Sequence, residues 1–453
     1  MKQRICLLMV IGLLAGQQQA EALTSFILST NYKVGNAPRA VTVFMNVDGR
    51  VDLVSANYSD NTLTVLTNNG SGNFGSNATY AVGSQPDSVL AADVNGDGYV
   101  DLICANNTSQ GSSGTLTVLT NDGSGSFVIA SSPSVGQNPH SVVAADVNGD
   151  GYVDLVCGNL NGTLTVLTND GSGHFTLSSS PSVGRGDSGD YVYSVAAVDV
   201  NGDGKVDLIS ADFDDDELTV LTNNGSGGFV LSSSPGVPYL PGSVTAADVN
   251  GDGKVDLITA NYVSSPVDGI TVLTNNGRGG FVTDTNIPID AADFVTAADV
   301  NGDGKVDLIC ANQHDNTLTV LTNNGSGGFA VATVLPTGSV PTWVAVADVN
   351  GDGEMDLVCA YNTTNIISVF LNTSVFQAPT STPPLTLQTS SKGISISWPS
   401  ASAGWLLQQN SDLNTANWGQ SGYNGHAISD NSTNKSLTIP SPPGNLFFRL
   451  LHP

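Results

Sequence analysis

Positive charge is scarce in this chain: 13 Lys and Arg stand against 40 Asp and Glu, for a formal net charge of −27. That balance argues against nucleic acid and anionic membranes as partners, since both reward Lys and Arg. Histidine is scarcer still, with five residues. No Ser/His/Asp or Cys/His spacing stands out, so the chain reads as non-enzymatic. No apolar run beyond the N-terminus is long enough to span a bilayer, which argues against membrane insertion. Residues 1–22 read instead as a signal peptide. Lys2 and Arg4 precede a short apolar stretch from Ile5 to Ala15, and Ala20-Glu21-Ala22 fits a small-x-small cleavage site. The mature protein is therefore expected to be secreted or held at the cell surface. Of five cysteines, Cys6 leaves with that peptide, and Cys104, Cys157, Cys310 and Cys359 fall at equivalent points of a repeat. Equivalent sites on successive units lie too far apart for a disulfide, so these are expected as small buried strand residues.

Glycine is plentiful, at 51 residues, and it punctuates an overt internal repeat. Units begin near Ala40, Ser88, Ser141, Ser194, Ser243, Phe294 and Trp343, spaced 48–53 residues apart. Each holds four short β-rich runs separated by Gly, Asn and Asp; in the fifth they are 243–247, 255–260, 270–274 and 280–283. Four strands repeated about every 50 residues make a propeller blade, with an open solenoid as the alternative. The last unit lacks its fourth strand, and the missing piece lies at the N-terminus, where residues 25–38 match 126–139. The expected fold is all-β: a seven-bladed β-propeller over 23–376, closed by the N-terminal strand around Phe26. A Pro/Thr linker follows over 377–384. A small β-sandwich-like domain over 385–453 carries Trp398, Trp405, Trp418, Phe447 and Phe448.

Six loops follow Asp-x-Asn-x-Asp-Gly-x-x-Asp, a spacing that gathers oxygen ligands from side chains at positions 1, 3, 5 and 9 and from the carbonyl at position 7. The candidate sets are Asp93, Asn95, Asp97, Tyr99 and Asp101; Asp146, Asn148, Asp150, Tyr152 and Asp154; and Asp199, Asn201, Asp203, Lys205 and Asp207. The remaining three are Asp248, Asn250, Asp252, Lys254 and Asp256; Asp299, Asn301, Asp303, Lys305 and Asp307; and Asp348, Asn350, Asp352, Glu354 and Asp356. Hard oxygen donors without His or Cys select Ca2+. An EF-hand fails because position 12 is not Glu (it is Cys104 in the first intact loop) and the flanks read as strands. Metal-free Asx/Gly hairpins remain the alternative, against which stands the repulsion of three crowded carboxylates. In the first unit Phe44 stands where the first Asp belongs, so that loop is expected to bind calcium poorly or not at all.

On these loops and the recurring Gly-x-Phe turn, the sequence resembles the FG-GAP/VCBS repeat family, which includes the integrin α propeller and many bacterial surface proteins. The resemblance implies calcium loops between strands 1 and 2 on one face, with ligands met by the 2–3 and 4–1 connections opposite. There the sequence carries Tyr191, Tyr193, Tyr239, Phe294 and Trp343, together with His140, Asp290, Asp293 and the run Asp214–Glu217. Aromatics beside polar groups suit a glycan or a protein hot spot; the alternative is that they fill the channel or pack neighbouring blades. Arg185-Gly186-Asp187 matches a cell-adhesion tripeptide, though a Gly- and Asp-rich chain yields one by chance. The functional expectation is a non-enzymatic extracellular binding or adhesion module whose partner is a protein or glycan. A lectin is the alternative, and a polysaccharide-degrading enzyme a more distant one, because related propellers occur in some lyases.

Overall fold

The computed structural model describes residues 24–108, 112–185, 190–262 and 269–374, and seven short strands between 386 and 451. The leader expected over 1–22, the linker and most of the Arg-Gly-Asp tripeptide lie outside the described residues, as do Trp405 and Trp418.

Repeated runs such as Asp-Leu-Ile-Cys-Ala-Asn and Thr-Leu-Thr-Val-Leu-Thr-Asn form the two central strands of each sheet. Asp101–Asn106, Asp207–Asp212 and Asp307–Asn312 are buried at every position. A strand covered on both faces reads as an unbroken apolar run rather than an alternation, and these are covered by the blades on either side. The sheets are antiparallel. The first blade contains Pro38–Met45, Val51–Asn57, Thr62–Asn68 and Phe74–Ala81. The seventh contains Pro341–Ala347, Asp356–Tyr361 and Ile366–Asn372, completed by Phe26–Lys33. Phe26 pairs with Asn372 and Lys33 with Ile366, so the N-terminal strand supplies the missing edge.

The first strand of each sheet lies innermost and touches its counterparts in the neighbouring blades, and Pro341–Ala347 meets Pro38–Met45 to complete the circuit. The core is therefore a series of seams. Ile258 and Val272 of blade 5 pack with Val295, Leu308 and Leu321 of blade 6, and Val358 and Val369 of blade 7 pack with Val41, Leu53 and Leu66 of blade 1. No blade buries its apolar faces without its neighbours. Cys104, Cys157, Cys310 and Cys359 are free thiols wholly inside these seams, and burial drives their pKa values up.

The C-terminal unit contains two small antiparallel sheets among the described residues. One joins Thr386–Ser390, Gly393–Pro399, Asn434–Ile439 and Ser429–Asp430; the other joins Gly419–Gln420, Leu406–Asn410 and Phe447–Leu451. Ile396 and Leu437 pair across the first and are buried.

Candidate functional site

The propeller presents two chemically different ends. At one end lie the six Asp-rich loops, and each winds around its first carboxylate. Asp93 accepts the Gly96 N–H on Oδ1 and the Gly98 N–H on Oδ2, both at 2.8 Å. Asp146, Asp199, Asp248, Asp299 and Asp348 do the same at 2.7–2.9 Å. Both glycines take positive φ, 72° at Gly96 and 87° at Gly98, which a side chain would oppose. Asn95 Oδ1 accepts the Asp97 N–H, and Asp97 Oδ1 accepts the Tyr99 N–H. The ninth residue is buried: Asp101 accepts the Val94 N–H at 3.1 Å and the Asn121 N–H at 2.8 Å. Burial raises the pKa of all six position-9 carboxyls, with those two amide bonds pulling the other way, and pushes Asp307 and Asp356 up to about 6.

Among the described residues no three His, Cys, Asp or Glu side chains form a ready-made metal cluster. In the loops the carboxylates at positions 1 and 9 accept backbone N–H groups. The donor set is nonetheless all oxygen, with three carboxylates, one amide and one carbonyl per loop. In three loops an ammonium faces one of these carboxylates: those of Lys205, Lys254 and Lys305 lie 3.5, 2.7 and 3.0 Å from Asp203, Asp252 and Asp303. These residues fit a hard divalent cation.

The first loop departs from the others differently from the sequence expectation. Phe44 pairs with Asp52 as Ala92 pairs with Asp101, so Phe44 belongs to the inner strand rather than opening the loop. Its ring turns into the core beside Phe127, with centroids 5.9 Å apart. The loop is one residue short, and the place of the first Asp falls to exposed Met45.

A neighbouring asparagine ties these loops to the next blade, a role that the sequence did not announce. Asn223 Nδ2 donates to Val206 O in its own loop at 2.8 Å and to Val147 O in the preceding blade's loop at 2.7 Å. Asn68, Asn169, Asn275, Asn323 and Asn372 repeat both bonds. The exception is Asn121, which faces the short first loop and donates to Val100 O alone.

The opposite end is built from a bulge at the same register point of every inner strand. The bulged residues are Arg39, Asp87, His140, Tyr193, Gly242, Asp293 and Thr342, and they ring the channel mouth. Several pair with the residue that follows the second strand of their own blade. The Arg39 guanidinium lies 3.7 Å over Tyr58, Asn107 donates to Asp87 at 3.0 Å, Tyr193 stacks on Phe213 at 4.1 Å, and Gln313 donates to Asp293. Others bridge blades. Arg39 Nη1 lies 2.6 Å from Asp87, His140 Nε2 lies 3.8 Å from Asp87, and Thr342 Oγ1 donates to Arg39 O at 2.9 Å. Burial opposes the Arg39 charge and Asp87 more than restores it. Burial also pushes Asp293 up to about 6, and burial together with Asp293, Asp214 and Asp87 raises the Tyr193 phenol.

Of the aromatics named from sequence, Tyr193 belongs to this ring, and Tyr191 and Tyr239 are exposed beside the same strand starts. Phe294 and Trp343 stack on each other at 4.2 Å and pack, partly buried, against the seams of blades 6, 7 and 1. Arg185 is folded back on the fourth blade: its N–H bonds Asp215 at 2.9 Å, and Nε lies 3.8 Å from Glu217. Sequence reasoning missed Arg39, Asp87, Tyr58, Phe213 and Gln313. The signal was the changing residue after a recurring proline, as in Pro38-Arg39, Pro86-Asp87 and Pro139-His140.

Comparison with known proteins agrees with this architecture. Among solved structures, BBS1N in complex with ARL6DN is similar at 14% identity, with TM-scores of 0.54 and 0.55 in its mercury- and lead-soaked forms; the match covers 78% of this chain and 98% of that one. A putative 6-phosphogluconolactonase from Bacteroides uniformis is similar at 16% identity and a TM-score of 0.52, covering 74% and 94%. At such identities the likeness is one of fold. No curated protein matches the chain. The model of the FG-GAP-like repeat matches six times, over residues 45–104, 93–157, 146–210, 199–259, 248–310 and 299–359. Five of these matches open on the first Asp of a loop and the other on Met45, and together they span most of the propeller: the chain belongs to the FG-GAP-like repeat family.

Proposed function

We propose that this protein is an exported, non-enzymatic binding propeller whose blades are stapled by calcium and whose channel mouth engages one protein partner. The observation that carries the reading is the contrast between the two ends. The loop end repeats the same ligand pattern in six blades, as a structural device does, whereas the mouth changes chemistry from blade to blade, as a single composite recognition surface does. A lectin with sugar sites between blades would repeat its pocket. The seven-membered ring of Arg39, Asp87, His140, Tyr193, Gly242, Asp293 and Thr342 repeats only its aspartate, in two blades that are not adjacent, and so builds no recurring pocket. The similar propeller of BBS1N is found in complex with a protein, ARL6DN, which supports a protein partner at the level of fold.

Calcium, when bound, would neutralise the crowded carboxylates of each loop. The chain's own part is to present Asp, Asn and carbonyl oxygens and to couple each loop to the next blade through residues such as Asn223 and Asn275.

A photo-crosslinking residue placed at Tyr239, on the mouth side, and in a second variant at Asn324, on the turn beside the loops, tests the assignment on producing cells. Crosslinks to a discrete protein from position 239 and none from 324 are expected. A glycan array probed with calcium present is expected to be flat. Sugar-competable signal that is lost in Tyr193→Ala would replace the protein reading with a lectin.

A further inference from the structure

We infer that the residue at position 7 sorts the six loops into two calcium-affinity classes, tight in blades 2, 3 and 7 and weak in blades 4, 5 and 6; this rests on the calcium reading above. Position 7 gives the metal its backbone carbonyl, so its side chain is free to differ, and it differs in charge. In blades 4, 5 and 6 it is Lys205, Lys254 or Lys305, whose ammonium faces Oδ2 of the position-5 carboxylate at 3.5, 2.7 and 3.0 Å. In blades 2, 3 and 7 it is Tyr99, Tyr152 or Glu354. There the same Oδ2 accepts instead from the position-3 amide of Asn95, Asn148 or Asn350, each at 2.9 Å.

The lysine stems are seated rather than waving in solvent. Each lies along a glycine of its own blade's 3–4 turn, so that a Cβ added to Gly225, Gly277 or Gly325 would come within 2.7–2.8 Å of a lysine methylene. In the tight class, Tyr99 and Tyr152 lay their rings over Gly123 and Gly171 in the same way. A calcium ion entering a lysine loop therefore meets a monovalent cation on one of its ligands. The ammonium pairs are partly exposed and worth little in themselves. The larger effect would be repulsion between Ca2+ and the nearby ammonium: at a separation of about 6 Å in bulk-water dielectric and at low salt, a unit charge weakens the binding of a divalent ion about tenfold. Blade 1 is the end of the series: the first ligand is gone, and Arg50 faces Asp48 at 3.5 Å.

Calorimetric titration of calcium into the chelator-stripped, full-length protein tests this, with circular dichroism as a check that each variant is folded. The wild type is expected to bind three ions weakly, at the lysine loops, and three more tightly, with the Glu354 loop the tightest of these. The triple variant Lys205→Gln, Lys254→Gln, Lys305→Gln is expected to tighten the weak class about tenfold, to the level of the tyrosine loops. Tyr99→Lys with Tyr152→Lys should move two tight sites into the weak class. Six equivalent sites in the wild type, or a weak class unmoved by the triple variant, would overturn the inference while leaving calcium binding intact. No binding to folded protein would overturn both.

Discussion

The loop end and the mouth of this propeller are made from the two ends of the same inner strands, yet they obey opposite rules. At the loops, six blades repeat the same hydrogen bonds to within a few tenths of an ångström, from the Gly N–H groups on position 1 to the asparagine reaching the neighbouring blade. At the mouth, no two adjacent blades present the same residue, and partners are matched within a blade: cation on ring for Arg39 and Tyr58, carboxylate on amide for Asp87 and Asn107, ring on ring for Tyr193 and Phe213. Repetition is what a load shared among seams requires, and divergence is what one asymmetric ligand requires. A scaffold can hold both because the inner strand between them keeps the same register in every blade.

That contrast breaks if the loop residues prove dispensable. The largest effect is expected for Asp207→Ala, which leaves the buried N–H groups of Val200 and Asn223 without acceptors. A loss of about 3–4 kcal/mol should appear in denaturant unfolding, whereas exposed Asp203→Ala in calcium-free buffer should cost under about 0.5 kcal/mol. The staple is sharpened by pairing two variants. Asn223→Ala loses bonds to both Val206 O and Val147 O, whereas Asn121→Ala loses only the one to Val100 O. The first should therefore be the more destabilising by about 1 kcal/mol.

A third test uses the one blade that departs from the repeat in its interior. Asp212 stands where five other blades hold Asn57, Asn106, Asn159, Asn261 and Asn312. Burial pushes its carboxyl up to about 7, although the hydroxyls of Thr219 and Ser210 donate to it. With the folded-state pKa above the unfolded one, its contribution is fully present below about pH 4 and is lost as pH rises through 7. Asp212→Asn removes that dependence and should stabilise the protein by about 2 kcal/mol more at pH 8 than at pH 5, read from paired melts. The smallest effect is expected for Arg185→Ala. Its side chain is 62% exposed on the Asp215–Glu217 patch, and stability should stay within about 0.5 kcal/mol of the parent.

Much of the architecture was legible because repetition makes errors cancel: blade number, the closing strand at Phe26 and the loop spacing all recur in register. The loss of the first-ligand position in blade 1 was legible too, but its cause was not. A one-residue deletion looks like a substitution until strand pairing shows Phe44 opposite Asp52. Asn223 and its equivalents read as ordinary turn residues, because a bond to the preceding blade joins positions about 75 residues apart. The mouth was half legible. Tyr193 was named for its aromatic character, but Phe213 comes to stack on it only through strand pairing in its blade, and the charge of Asp293 acts on it only once the ring closes; Phe294 and Trp343 stack on each other beside the seams.

The central claim is that the loops hold calcium and thereby hold the blades together. If the loops bind with the affinity of about 0.1–1 mM common to extracellular calcium modules, ~1 mM calcium would add roughly 0.4–1.4 kcal/mol per site and about 2.5–8 kcal/mol over six. Thermal melting in 1 mM calcium, with and without excess EGTA, tests it directly. A midpoint that falls on chelation and returns when calcium is restored is the expected result; a midpoint that does not move would contradict the account.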